Sequence, residues 1–340
     1  MVVSCQILIN KPNGGHRPGQ PVTGIVKYTL DKPLEVKNVV LSFIGKGHCS
    51  WSESKTSNNE RKSVSYDGYE DYFATCVNII KKNSRDEIIT IPEGTYEYPF
   101  EFLLPENIPS SFKSFSANIA YFLILTFDRP GIFKFNKRHI TEIQVRNTIE
   151  NDEVPVVFGL EKTLTKPFSN KKHIVNLKAE IAKSSFISGE KVPLTLVLTN
   201  DTGVNIKAIK TELIRYKTLK ADCGHKTYEI SIVRECTVQS TSIPKQSIVN
   251  LTQEIPTLLD MYSVRNSKII SVEFKLKVIV RLPFPHINPT VEIPIVIGDK
   301  IEEDLEEENK KHTYIHKLTW RAYCRFSGTF PDSVLLPRIS

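Results

Sequence analysis

At 340 residues, with 45 Lys and Arg against 38 Asp and Glu and a net charge of +7, the chain is too long for one ordinary β core and suits two domains. Val, Ile, Thr, Phe and Tyr abound, Pro (20) outnumbers Gly (15), and no stretch sustains a 3.6-residue apolar period. That composition excludes a helical protein and favours an all-β one. No apolar run approaches the roughly 20 residues that a spanning helix needs, so a soluble, intracellular protein is expected.

The opening MVVSCQILIN has neither a basic start nor a small-residue cleavage site, and reads as a strand rather than a signal peptide. The first strand is expected over 5–9, broken by Asn13-Gly14-Gly15 and Pro18-Gly19, followed by strands over 23–30 and 36–44. Residues 46–90 are the least regular. A polar run over 52–65 and the aromatics Tyr66, Tyr69, Tyr72 and Phe73 predict a mobile surface loop, either a binding loop or a tolerated insertion.

Residues 91–131 are the most informative. Pro92 and Gly94 make a turn, and Tyr98, Phe100 and Phe102 then alternate with polar neighbours, the period of a strand with one buried face. Pro105 and Pro109 remove ladder donors and force an extended connection. Residues 120–127, AYFLILTF, are apolar on both faces and read as a strand in the middle of a sheet, closed by a type II turn at Arg129-Pro130-Gly131. A strand over 140–145 completes the first unit.

A repeat at an offset of 170 residues supports a second, similar unit. Gly19-Gln20-Pro21-Val22 lines up with Gly189-Glu190-Lys191-Val192, and Val36-Lys37-Asn38-Val39 with Ile206-Lys207-Ala208-Ile209. Further on, Ile91-Pro92 matches Ile243-Pro244, the strand after Ile119 matches 270–280, and 140–145 matches 291–297. In the second unit Val272, Phe274, Leu276, Val278 and Val280 alternate with Glu273, Lys275 and Lys277, giving one wet face.

Residues 1–150 therefore form one antiparallel β-sandwich, 151–172 a connector with Pro155, Gly159 and Pro167, and 173–299 a second sandwich. Residues 300–340 are a tail with seven basic and seven acidic residues, so the body carries the whole positive excess. Beyond the acidic run 302–308, residues 317–326 alternate again, with Leu318, Trp320 and Phe326 on one face. They are expected as an extra edge strand docked in cis, with service as a ligand for another protein as the rival reading.

The order of turn, Tyr-Pro-Phe-x-Phe strand, Leu-Pro-x-x-Ile-Pro-Ser-Ser-Phe connection, long strand and Asp-Arg-Pro resembles the signature region of the arrestin N-domain in its alpha-arrestin form. GLEKTLTKPF, ISGEKVPLTLVLTNDTGVNIKAIKTELI and LPFPHINPTVEIPIVIG resemble the C-domain, so the likeness covers about residues 1 to 298. It implies two immunoglobulin-like, arrestin-type sandwiches. The function it implies is that of an adaptor or scaffold without enzymatic activity, binding cytoplasmic segments of membrane receptors or transporters and directing their endocytosis, transport or signalling with trafficking proteins. Such a protein would work in the cytoplasm and at the periphery of the plasma membrane or endosomes. Two family features are missing. Lys166 to His173 contains no Cys-rich segment, which removes support for a thiol role, and no Pro-Pro pair occurs, so there is no Pro-Pro-x-Tyr motif for WW-domain ubiquitin ligases.

Reactive constellations are few. There is no phosphate loop, no nucleophile elbow and no paired-Cys zinc spacing, so neither catalysis nor a cofactor nor a metal is expected. His312, His316 and Cys324, and the pair Cys223 and His225, read as polar surface rather than metal ligands, and the six cysteines read as free thiols. Lys134, Lys137, Arg138 and His139 crowd the predicted hairpin after Gly131, and Lys166, Lys171, Lys172 and His173 the connector. Either cluster reads first as an ordinary solvated face, with binding of phosphorylated tails or an anionic lipid surface as the functional reading. The aromatics occupy core positions away from these charges, which leaves no stacking platform for nucleic acid. A lipid- or small-molecule-binding β module is the alternative function; it requires small inward residues where Phe100, Phe102, Tyr121, Leu123 and Leu125 stand.

Overall fold

A computed structural model of the chain describes residues 2–10, 15–57, 60–80, 88–131, 136–149, 155–164, 173–239 and 241–299. Among them there is no helix. The first unit contains β1 (Val2–Ile9), β2 (Pro21–Leu30), β3 (Leu34–Val36), β4 (Asn38–Ser57), β5 (Glu60–Asn78), β6 (Ile89–Ile91), β7 (Gly94–Leu103), β8 (Phe112–Lys113), β9 (Ala117–Asp128) and β10 (Lys137–Ile143). The second contains β11 (Val156–Leu164), β12 (His173–Ile181), β13 (Ser185–Ile187), β14 (Lys191–Asp201), β15 (Ala208–Lys220), β16 (Lys226–Gln239), β17 (Ser247–Pro256), β18 (Ile270–Arg281) and β19 (Thr290–Gly298).

In the first unit the sheet β1-β2-β7 faces the sheet β10-β9-β4-β5, with β8 on β9. Alternation decides what lies between them. On β2, Val22, Val26, Tyr28 and Leu30 point inward, as do Phe100 and Phe102 on β7. Across from them stand Leu41 and Phe43 on β4 and Tyr121, Leu123, Leu125 and Phe127 on β9, all fully buried. Rings interlock across the gap: Tyr28 meets Phe127 edge-on at 5.2 Å and Phe43 meets Phe102 at 5.7 Å. Each such side chain contributes about 1.5–3 kcal/mol by leaving water. Tyr121 also carries a hydroxyl into this core and donates it to the Pro109 carbonyl at 2.6 Å, so the proline-rich connection is fastened to the strand it precedes.

The second unit repeats the plan, with β11-β12-β14-β17 against β13-β19-β18-β15-β16. Leu177, Ala179 and Ile181 face Leu213, Leu276, Val278 and Ile293, around Phe186. Except for the short pairing of β13 with β19, every strand pair is antiparallel.

The 170-residue offset marks equivalent places. Gly19 and Gly189 both take a left-handed backbone, φ 78° and 88°, just before β2 and β14, where a Cβ would be strained. Lys37 and Lys207 open β4 and β15 and donate their amides to the last residues of β9 and β18, Asp128 and Arg281, each at 2.7 Å.

Two expectations change. The described residues from 46 to 78 are not a loop: β4 and β5 run through the polar insertion as one long hairpin, paired from Val40 with Asn78 to Ser57 with Glu60. Within the stretch read as connector, Val156–Leu164 is a strand hydrogen-bonded to β12 along its whole length. Along the outer part of the hairpin, pairing with β5 rather than burial holds the strand, while on β11 Val156, Phe158 and Leu160 also pack against the core and Leu164 is buried. The expected tail strand with Leu318, Trp320 and Phe326 lies outside the described residues, as do Lys134, Lys171, Lys172 and the histidines 312 and 316.

Candidate partner-binding surface

β4 leaves its neighbour β9 at Cys49, and from Ser50 to Ser57 it pairs only with β5. Eight residues at a strand's rise make an arm about 26 Å long beyond the sheet. Its root is braced on the second sandwich by contacts between residues more than 150 positions apart.

At the arm, Trp51 Nε1 donates to Glu53 Oε1 at 3.0 Å, and both Glu53 oxygens lie 3.0–3.1 Å from His225 Nε2, which donates to them. The His225 ring stacks on Tyr66 at 4.3 Å and lies 6.2 Å from Trp51. Lys55 donates to the Tyr66 hydroxyl. The indole N–H, and after it His225, hold the Glu53 carboxyl below the usual carboxylate range. The cluster is a half-buried aromatic sandwich around one carboxylate–imidazole pair.

Nearer the sheet, Gly68 leaves room for the Lys220 carbonyl and for Cys49, whose thiol points at that carbonyl at 3.5 Å. The Tyr69 amide donates to Asp222 Oδ1 at 3.1 Å, and the Asp222 amide to the Asp67 carbonyl at 3.0 Å. Glu70 Oε2 accepts from the Ser267 hydroxyl and the Lys268 amide, both at 2.8 Å, and Tyr72 donates to Ser267 at 3.1 Å. Burial pushes the Tyr72 phenol well above its ordinary value, so it stays a donor. Lys217, only 5% exposed, reaches Glu229 at 2.6 Å and Ser116 at 3.0 Å. A buried ammonium is tolerated there because it is both paired and hydrogen-bonded.

A second crossing lies at 145–149, where Thr148 bridges Asp299 and Arg146 sits 3.6 Å from both Asp260 and Asp299. The cleft beside it, about 370 Å³, is lined by polar groups including Glu106, Asn147, Ser263 and Arg265.

The basic cluster expected after Gly131 is divided by strand geometry. Lys137 and His139 share one face of β10 and Arg138 takes the other. His139 lies edge-on to Phe127 at 6.4 Å, and burial, then Lys137, lowers its pKa. His173 opens β12 opposite Leu164. Tyr66 was among the aromatics noted for the expected binding loop, whereas Trp51, Glu53 and Glu70 were not singled out in the sequence; their signal was the alternation of Trp51, Glu53 and Lys55. Among the described residues no three His, Cys, Asp or Glu side chains gather as metal ligands, and Cys223 and His225 share a turn in which His225 is committed to Glu53. The cysteines 5, 49, 76, 223 and 236 are free thiols.

The family model for the arrestin (or S-antigen) N-terminal domain matches residues 5–151, and that for the arrestin C-terminal domain matches residues 171–301. Arrestin domain-containing protein 17 of Caenorhabditis elegans is 24% identical over 314 residues, covering 86% of this chain and 70% of that protein. Arrestin domain-containing protein 1 of Rattus norvegicus is 23% identical, over 84% of this chain and 61% of its own length. For arrestin domain-containing protein 5 of Homo sapiens the identity is 24%, with 82% and 83% covered. The chain thus spans about three fifths of the mammalian protein 1 relative. With two matched domains in tandem and the sandwiches that carry them, this chain belongs to the arrestin family, in its alpha-arrestin, arrestin domain-containing branch.

Proposed function

We infer that the protein is a non-enzymatic adaptor that docks on cytoplasmic segments of membrane proteins and directs their endocytosis, transport or signalling. It would work in the cytoplasm and at the periphery of the plasma membrane or endosomes. The observation that carries this reading is the β4–β5 arm, an extended ribbon projecting beyond its sheet and braced at the root by Glu53, Glu70 and Asp222. A braced ribbon offers a partner unpaired backbone groups and side chains at alternate positions. The family match supports the same class of work, since its members are in general adaptors. Among the described residues the cores are filled where a lipid or small molecule would need room, with Phe43, Tyr121, Phe127 and Phe186 fully buried.

Proximity labelling in cells tests this. Wild-type protein should label membrane proteins with cytoplasmic segments, and a variant with residues 55–62 replaced by an Asn-Gly turn should lose most of them. Equal labelling by both forms would refute a role for the arm. Absence of membrane proteins from the wild-type set would refute the adaptor reading.

A further inference from the structure

The sheet β13-β19-β18-β15-β16 ends on β16, which pairs only with β15. Its side chains Tyr228, Ile230 and Ile232 are 69%, 62% and 54% exposed. Successive even positions share one face, so these three form an apolar row at an open edge. Among the described residues, no other strand exposes three large apolar side chains at i, i+2 and i+4. Natural edges are usually guarded by charge or bulges, and here both guards stand elsewhere. Leu213 pairs with Arg234 and Ile214 with Ile232, so Val233 is an extra residue that bends the strand just past the row. A second shift, between the partners of Ile209 and Lys210, lies further on, where Thr211 joins the Cys236 carbonyl and Gln253 of β17. Residues 226–232 remain a regular ladder, and among the described residues no strand pairs with their outer side.

The carboxylates on this strand are neutralised from within the sheet. Glu229 is held by Lys217 and Glu235 by Lys210, each at 2.6 Å. A second β16 can therefore approach without meeting free acidic charge, and the row is self-complementary. With a two-fold axis through Ile230, perpendicular to the sheet, Ile230 meets its own mate and Tyr228 meets Ile232 of the other copy. Glu229 then lies opposite Ser231, a carboxylate beside a hydroxyl donor. The ladder is confined to 228–232, because beyond it Thr227 would face the bulged Val233 and Lys226 would face Arg234; other centres are worse within that span. An axis through Glu229 sets two carboxylates against each other, and one through Ser231 draws the bulged Val233 into the ladder.

We propose that two copies of this chain pair antiparallel along β16, centred on Ile230, extending the five-stranded sheet of the second sandwich across a two-fold axis. The ladder is short and the row small, so the dimer is weak, with a dissociation constant on the order of 10–100 µM. It does not depend on the adaptor reading.

Sedimentation equilibrium of the full chain should show the mass rising towards two copies at about 200 µM. Ile230→Lys should return it to one copy, as should Ile232→Arg, while Ile25→Lys, on a different sheet, should not. Circular dichroism and thermal melting confirm that the variants are folded. In a background with Cys76, Cys223 and Cys324 changed to Ser, Ile230→Cys should cross-link to its mate under mild oxidation. Thr227→Cys, whose opposite residue is not itself, should not. A chain that stays single throughout that range overturns the proposal, and so does a dimer that Ile230→Lys leaves intact. Amides of 228–232 that are protected from exchange in a single copy would mean that another part of the chain covers the edge, and would overturn it too.

Discussion

Gly68 offers the most direct test of how the two sandwiches are joined. A Cβ there would come to 2.5 Å from the Lys220 carbonyl oxygen, 2.9 Å from the Cys49 sulfur and 3.3 Å from the Ala221 Cα. A carbon–oxygen contact settles at about 3.3 Å, so Gly68→Ala must open the seam by roughly 0.8 Å. The nearest obstacle is backbone, which cannot rotate away. Overpacking of this kind costs about 1–3 kcal/mol. The displacement falls on the bond from the Asp222 amide to the Asp67 carbonyl and on that from the Tyr69 amide to Asp222. Urea denaturation should register the loss of stability, and hydrogen exchange should quicken at the amides of Tyr69 and Asp222. Gly159→Ala is the control, because nothing lies within 4 Å of its Cβ position; it should be neutral or stabilise by about 0.4–1 kcal/mol. Gly68→Ala with wild-type stability and unchanged exchange at both amides would refute the account of the seam.

Three further outcomes follow from the same geometry. Tyr121→Phe removes the donor to the Pro109 carbonyl and leaves a buried acceptor unpaired, so thermal denaturation should show a loss of about 1–3 kcal/mol. Phe186→Ala empties a fully buried position in the second core and should cost about 3–5 kcal/mol, read in the same way. Glu53 has a folded pKa below its ordinary 4.5, so its contribution to the clasp is present above that pH and is lost as the pH falls through the lower, folded value. In a Trp320→Phe background Trp51 is the single indole, and its fluorescence should change on acidification below about pH 4.5. Glu53→Gln should abolish that change.

The second sandwich's β18 was legible because its burial is periodic, with Val272, Phe274, Leu276 and Val278 facing inward. The first's β9 was legible because an unbroken apolar run between turns marks a central strand; of that run Tyr121, Leu123, Leu125 and Phe127 face inward and the residues between them are only half-buried. The repeat was legible because turn chemistry fixed both copies at the same point, before β2 and before β14. The arm was not, because Trp51 is its one large apolar side chain, half-buried against the core, and the rest of Ser50–Ser57 is ordered by pairing with β5, which leaves little hydrophobic contrast to read. Nor was the clasp. Glu53 and His225 are 172 residues apart, and Glu70 and Ser267 are 197, and no local pattern encodes a meeting that only the packing of the two sandwiches produces.

Tyr72, Ser267, Glu70 and Asp222 close the joint with hydroxyls, carboxylates and backbone amides, and water can replace each such bond at little net loss. The apolar groups in this seam include Cys49, Ala221 and Ile269. Mechanical load should therefore exchange the polar bonds of the joint for water before it disturbs the filled core of either lobe.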